Sequence, residues 1–300
     1  MPIPSFDEIT LPLLRIAGDG QVHVLAQARK DLARHFELSD AEEQELLPSG
    51  RQVRFTNRVA WAKVYLQRGG LLASPGRGQF QITERGRDVL ASPPARVDIE
   101  FLERFPEFLE LRSRTPESGV RVAAVVGSST PEEVLEAAYL SIRAALASEL
   151  LGRVRMASPR FFELLVVRLL LKMGYGGAGG VGEAIGRSGD EGIDGIIAED
   201  RLGLELVYLQ AKRWAGTVGR PEVQKFVGAL HGKRARKGVF ITTGTFSAEA
   251  VAYVQTIDPK VALIDGAQLA QFMIDFDVGV LPDRAYQIKK IDSDHFDEDG

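Results

Sequence analysis

The sequence predicts two domains, an N-terminal winged helix-turn-helix and a C-terminal α/β domain in which helices flank a mixed five-stranded sheet. Three observations lead there. Helical apolar spacing over residues 7–67 gives way to a short hairpin whose tip, Ser74-Pro75-Gly76-Arg77-Gly78, carries a cation. Beyond Ser158 the apolar patterns alternate between helical and strand periods in the order α-β-β-β-α-β-α-β-α. Within that region an apolar strand, Leu206-Val207-Tyr208-Leu209-Gln210-Ala211-Lys212, carries an amide and an amine on one face.

Composition sets the outer bounds. At 300 residues, 45% apolar and 26% charged, the chain has room for two or three domains with real cores. It has no cysteine, which excludes disulfides, thiolate zinc sites and a Cys nucleophile and agrees with a reducing compartment. The four histidines, at 23, 35, 231 and 295, are too scattered for a metal cluster. The N-terminus lacks a basic-then-apolar signal and no apolar run approaches about 18 residues, so a cytoplasmic location without membrane contact is expected. Net charge is −4, yet between Arg51 and Arg87 eight Arg and Lys face a single acid, Glu84. A local basic face inside an acidic chain suits a nucleic-acid contact, with a solvated helix face or a protein-docking winged helix as the alternative readings, and a tail rich in Asp balances it.

Taken in order, residues 7–17 and 22–36 read as helices separated by Gly18-Asp19-Gly20, and Ser39 to Glu42 forms a capping box for a short third helix. The next helix, with Thr56 as its expected N-cap, runs to Gly69-Gly70 and is followed by the hairpin 71–82. In a winged helix that helix enters the major groove. Arg54, Asn57, Arg58 and Lys63 on it, and Arg77 on the wing, are the expected contacts to double-stranded DNA, with Trp61 close by. The first domain is expected over 1–92 and a helical linker over 93–157, the linker holding an apolar patch at 120–126. A long helix from Pro131 carries Leu135, Tyr139, Ile142, Leu146 and Leu150 as core-facing positions. The α/β domain is expected over 158–282 and an acidic tail over 283–300. It opens with Ser158-Pro159 and a helix apolar almost all round, Glu163 being its one acid. Six glycines between Gly174 and Gly182 lack the Lys-Ser/Thr ending of a phosphate loop and predict a loop. The helix 221–234 is amphipathic, with Lys225, Lys233, Arg234, Arg236 and Lys237 offering a second set of phosphate contacts.

The chemistry gathers at 189–214. Asp194 precedes Gly195-Ile196-Ile197 on one hairpin arm; Gln210 and Lys212 share a face of the next. Hydrolysis of a phosphodiester requires hydroxide to meet an anionic phosphate, which a hard divalent cation held by oxygen donors assists. Asp194 supplies an anionic ligand and Gln210 a neutral one; Lys212 is placed to orient water and offset developing charge. Singly, an Asp beside Gly reads as a turn residue, the Gln as an edge amide and the Lys as a surface cation. Together, in so apolar a strand, they require partners.

These residues, with Glu163 on the leading helix, Gly192-Ile193-Asp194-Gly195, Gln210-Ala211-Lys212 and Lys237-Gly238-Val239-Phe240-Ile241-Thr242-Thr243, resemble the Mrr-type branch of the PD-(D/E)xK nuclease superfamily. Residues 7–90 resemble that family's N-terminal domain. The resemblance implies a restriction-endonuclease-like fold and a modification-dependent (type IV) restriction endonuclease acting on DNA with methylated adenine or cytosine. It implies Mg2+ as cofactor, with Mn2+ as substitute, and a homodimer or higher homo-oligomer. It makes Asp194 and Gln210 metal ligands, Lys212 the catalytic lysine and Glu163 an auxiliary acid. The wider superfamily has Asp or Glu where this chain has Gln210, which removes a negative charge from the metal site. A DNA-binding regulator with an inactive nuclease-like domain, and a structure-specific DNA nuclease, are the competing expectations.

Overall fold

The computed structural model describes residues 2–113, 129–176, 182–183, 192–200, 202 and 204–289. The patch at 120–126, the glycines at 177–180 and the Asp-rich segment 290–300 lie outside the described residues. The chain divides into two compact units, Met1–Ile142 and Arg143–Gly300.

In the first unit, α1 (Phe6–Ile16) opens on a reciprocal capping box in which the Ser5 amide donates to Glu8 Oε2 at 2.8 Å. After a single 3-10 turn come β1 (His23–Val24), α2 (Leu25–His35), α3 (Asp40–Glu43), α4 (Arg54–Arg68), β2 (Leu72–Ala73), β3 (Gln79–Ile82) and α5 (Glu84–Ala91). The strands form an antiparallel sheet in the order β1-β3-β2. Three details differ from the sequence reading. Residues 22–36 begin as a strand. The helix of the basic segment starts at Arg54, capped by the extended Val53 without a side-chain bond, so Thr56 lies inside its first turn. Beyond residue 92, α6 (Ile99–Leu102) and α7 (Pro106–Ser113) are no free linker, because Val97, Leu102 and Phe108 are buried in the core with Phe6, Leu14, Phe55 and Leu66. Phe6 stacks on Tyr65 at 5.0 Å and ties α1 to α4.

The long helix α8 (Pro131–Met156) corrects another expectation. Leu135, Tyr139, Ile142 and Leu146 are 39–69% exposed, and only Leu150 and Val154 on this helix are buried. Apolar spacing identified the helix but not what covers it. The same holds for α9 (Pro159–Lys172): Phe162, Leu165, Val166, Leu169 and Leu170 are buried, whereas Phe161 and Leu164 face outward.

The second unit continues from α9 with β4 (Gly182–Glu183), β5 (Gly195–Ala198), β6 (Leu206–Lys212), β7 (Thr217–Val218), α10 (Arg220–Gly232), β8 (Lys237–Thr242), β9 (Thr245–Phe246), α11 (Ala248–Val254), β10 (Lys260–Ile264) and α12 (Gly266–Asp275). Five strands pair in the order β10-β8-β6-β5-β4, parallel across β10-β8-β6 and antiparallel across β6-β5-β4. β7 and β9 form a separate parallel pair.

The period of two sorts β6 and β8 between two cores. Val207, Leu209, Val239 and Ile241 pack with α9 and α12; Tyr208 and Phe240 pack with Val223, Phe226 and Leu230 of α10. Gln210 and Lys212 therefore belong to the α10 side. Each buried Val, Leu or Phe contributes roughly 1.5–3 kcal/mol, so a one-residue slip of β6, which would exchange its two faces, is excluded by burial alone. Among the described residues no helix is long and apolar enough to cross a membrane.

Candidate active site

Asp194 enters the sheet just before β5. Its amide donates to the Leu209 carbonyl at 2.8 Å, and its Oδ2 accepts the Ala211 N–H at 2.8 Å, so both backbone and carboxylate are fixed against β6. Burial pushes its pKa up; the Ala211 N–H and the charge of Lys212 pull the other way. Glu163, on α9, is also pushed up, first by burial and then by the negative charge of Asp194. The structure thus brings Glu163 within electrostatic reach of Asp194.

Gln210 is 6% exposed, and its Oε1 is a buried atom without a hydrogen-bond partner. Leaving an amide oxygen unpaired costs about 1–3 kcal/mol, the kind of cost tolerated where a ligand completes the contact. The turn before Asp194 is shaped to admit this side chain. Gly192 has φ +93°, and a Cβ there would stand 2.9 Å from Gln210 Nε2.

Lys212 pairs across the sheet with Thr242, and its carbonyl accepts the Thr242 hydroxyl at 2.9 Å. Thr243, also buried, donates its hydroxyl to the Trp214 carbonyl at 2.8 Å, and Arg155 Nη2 donates to the Thr243 carbonyl at 2.7 Å. At Gly244 a Cβ would come within 1.9 Å of the Gly216 carbonyl, so only glycine lets the exits of β6 and β8 close together. The Lys212 ammonium is bonded to the carboxylate of Glu222, on the first turn of α10, and lies 4.5 Å from the centre of the Trp214 ring. Sequence reasoning missed Glu222, Trp214, Thr242 and Thr243. The only sequence trace of Glu222 is an acid beside Pro221 at a helix start, which helix electrostatics already explains.

The donors fit a hard cation in kind: one carboxylate oxygen of Asp194 free of the Ala211 bond, the unpaired Oε1 of Gln210, and Glu163 nearby. Among the described residues no three His, Cys, Asp or Glu gather in a metal-binding group. Of the proposed ligands, therefore, Asp194 supplies the charge and Gln210 a neutral oxygen.

The expected DNA contacts of the first unit lie in two environments. Asn57 is buried, accepting the Thr130 hydroxyl at 2.6 Å and donating to Gln52 Oε1 at 3.3 Å; it is a structural residue in this conformation, because its amide is consumed inside the fold. Arg58, 15% exposed, donates to the carbonyls of Ile3 and Pro4 and pairs with Glu133 at 2.8 Å. Arg54 pairs with Glu45 at 2.6 Å. Trp61 donates its indole N–H to Glu132 at 2.5 Å. Burial lowers the pKa of Lys63, which is half-buried, while Arg77 is exposed on the hairpin tip. The leading face of α4 is thus occupied by the acidic first turn of α8. In the second unit, Lys237 is taken up by Glu199 and Glu205.

A mixed sheet presenting an acid, an amide and a lysine at the open end of the β5–β6 hairpin is the arrangement expected of a nuclease domain. Residues 154–273 match the family model described as a restriction endonuclease, and residues 6–92 match the Mrr N-terminal domain. The chain is 36% identical over 311 residues to the type IV methyl-directed restriction enzyme EcoKMrr of Escherichia coli (strain K12), covering 99% of this chain and 100% of that protein. It belongs to the Mrr family of restriction endonucleases and is a DNA endonuclease. Two solved structures are also similar. MspJI in complex with a 27-mer oligonucleotide has 29% identity and TM-score 0.34, with 44% of this chain and 31% of that one covered. The modification-dependent restriction endonuclease AspBHI has 18% identity and TM-score 0.35, with 70% and 56% covered. The chain spans less than two thirds of either solved chain.

Proposed function

We propose that the protein cleaves double-stranded DNA bearing methylated adenine or cytosine, with magnesium held by Asp194 and Gln210 and manganese able to replace it. The observation that carries the metal reading is the buried, unpaired Oε1 of Gln210 beside a carboxylate already fixed by the Ala211 N–H. Methyl dependence is carried over from the full-length likeness to EcoKMrr. When bound, the cation polarises the phosphate and lowers the pKa of an attached water. The chain's own residues do the remainder. Asp194 and Gln210 hold the ion's position, Glu163 adds negative charge that strengthens cation binding, and the Lys212 ammonium orients the attacking water and offsets charge building on the phosphate.

Helices α1, α2 and α4 with the β1-β3-β2 sheet support a winged helix, in which α4 and the hairpin tip at Arg77 face DNA. Arg54 and Arg58 reach phosphate only if the acidic turn of α8 yields. Cutting both strands of a duplex favours a homodimer or larger assembly, which sedimentation with and without DNA measures.

The test is digestion of one plasmid prepared with and without adenine and cytosine methylation, in magnesium and in chelator. Methylated plasmid alone is cut, and only with the metal. Asp194→Ala and Lys212→Ala abolish cutting while still shifting DNA on a gel. Cutting that survives both changes overturns the site assignment; salt-sensitive binding without cutting in either metal identifies a regulator instead.

A further inference from the structure

We infer that Glu222 is a positioning residue for the Lys212 ammonium, and that its negative charge serves the cleavage step and neither DNA binding nor folding. The inference rests on Lys212 being the lysine of the nuclease site.

A lysine reaches its target on four freely rotating bonds, so a working ammonium has to be held in place by something else. Asp194, just before β5, has its Oδ2 bonded to the Ala211 N–H, so that oxygen is not available to the ammonium. Glu222 comes from outside the sheet on a rigid support. It stands directly after Pro221 on the first turn of α10, where the helix's positive end favours a carboxylate, and α10 is anchored by the buried Val223, Phe226, Val227 and Leu230. Its Oε2 takes the Lys212 ammonium, and its Oε1 takes Lys225 Nζ at 2.6 Å. The Lys212 and Glu222 side chains are 23% and 20% exposed, whereas Lys225 is 74% exposed, so the inner pair is sheltered and the outer one is not.

The Trp214 ring lies 4.5 Å from the ammonium, and the backbone of that residue is tied down by the Thr243 hydroxyl, which donates to its carbonyl, and by its own N–H, which donates to the Lys212 carbonyl at 2.9 Å. Carboxylate and ring together fix where Nζ lies relative to Asp194 and Gln210. The neutral amide at 210 sharpens the need. With one acid fewer on β6 than the wider superfamily has, less charge on the strand itself holds the ammonium over the site.

The experiment measures single-turnover cleavage of a methylated plasmid in magnesium by wild type, Glu222→Gln, Glu222→Asp and Lys212→Ala, with DNA affinity by gel shift and thermal midpoints for all four. Misplacing a reacting group by about 1 Å costs on the order of 100-fold in rate. Glu222→Gln, which keeps the shape and loses the charge, is expected to lower the single-turnover rate by about 10- to 100-fold with DNA affinity within about twofold of wild type. Glu222→Asp is expected to recover part of the rate. A wild-type single-turnover rate in Glu222→Gln beside an inert Lys212→Ala overturns the assignment of Glu222 alone. Equal losses in Glu222→Gln and Glu222→Asp that track a fall in thermal midpoint make the residue structural and also overturn it. Cutting by Lys212→Ala removes the site reading on which the inference rests.

Discussion

Gln210 combines two properties that rarely coexist in a stable strand: burial and an amide oxygen without a partner. The backbone before Asp194 is shaped around it, and Gly192→Ala tests that. An alanine at φ +93° carries about 1–3 kcal/mol of strain, and its Cβ pushes on Gln210 Nε2. We expect a lower chemical-denaturation midpoint together with a raised magnesium requirement for cleavage; an unchanged magnesium requirement shows that Gln210 does not hold the ion. Glu163 gives a pH prediction with a definite sign. Its folded pKa is raised, so over the window between its ordinary and raised values the folded chain binds more protons, and stability contributed there is lost as pH rises. In metal-free protein Glu163→Gln should therefore raise the melting midpoint near neutral pH and lose that advantage as the pH falls below the ordinary carboxylate range. Calorimetry across pH 4–8, an interval of about four units chosen to span that range, reads this directly.

At the scale of elements, α4 and the first turn of α8 are locked by complementary charge. Arg58 bridges the N-terminal carbonyls of Ile3 and Pro4 to Glu133, so its loss leaves three acceptors without their donor. Arg58→Ala should cost about 1.5–3 kcal/mol in denaturation experiments. If α4 faces DNA, replacing Glu132 and Glu133 by Gln weakens the cover and raises affinity for DNA at low salt. Unchanged affinity in a gel shift would separate α4 from the DNA surface.

Across the whole molecule, the compact units meet the chain at Ile142 and Arg143, inside α8 and not in a loop. The apolar residues that mark this helix are largely exposed, so substitutions such as Tyr139→Gln and Ile142→Gln should shift stability by no more than about 0.5 kcal/mol, measured by urea unfolding. A larger loss would show these side chains to be covered in solution. The second unit behaves differently: its two cores lie on opposite faces of one sheet, and the placing of Asp194, Gln210 and Lys212 descends from the register of β6 between β5 and β8.

The sequence by itself determined the helices and the five strands of the main sheet of the second unit but not the β7-β9 pair, and it determined the face shared by Gln210 and Lys212 and the place of Asp194 beside them, because period-two alternation is a local property that burial enforces. It also determined the capping boxes at Ser39 and the helix start at Ser158, where a hydroxyl three residues from an orphan N–H is enough. Tertiary structure decided the rest. Glu222 lies ten residues beyond Lys212, and only the return of α10 onto the sheet brings the two charges together. Asn57 and Arg58 read as DNA contacts until Thr130 and Glu133, more than seventy positions away, pack against them. Apolar spacing on α8 shows that a face exists, whereas its exposure depends on which neighbours the chain supplies. Local pattern encodes geometry along the chain; partners distant in sequence are fixed by packing alone.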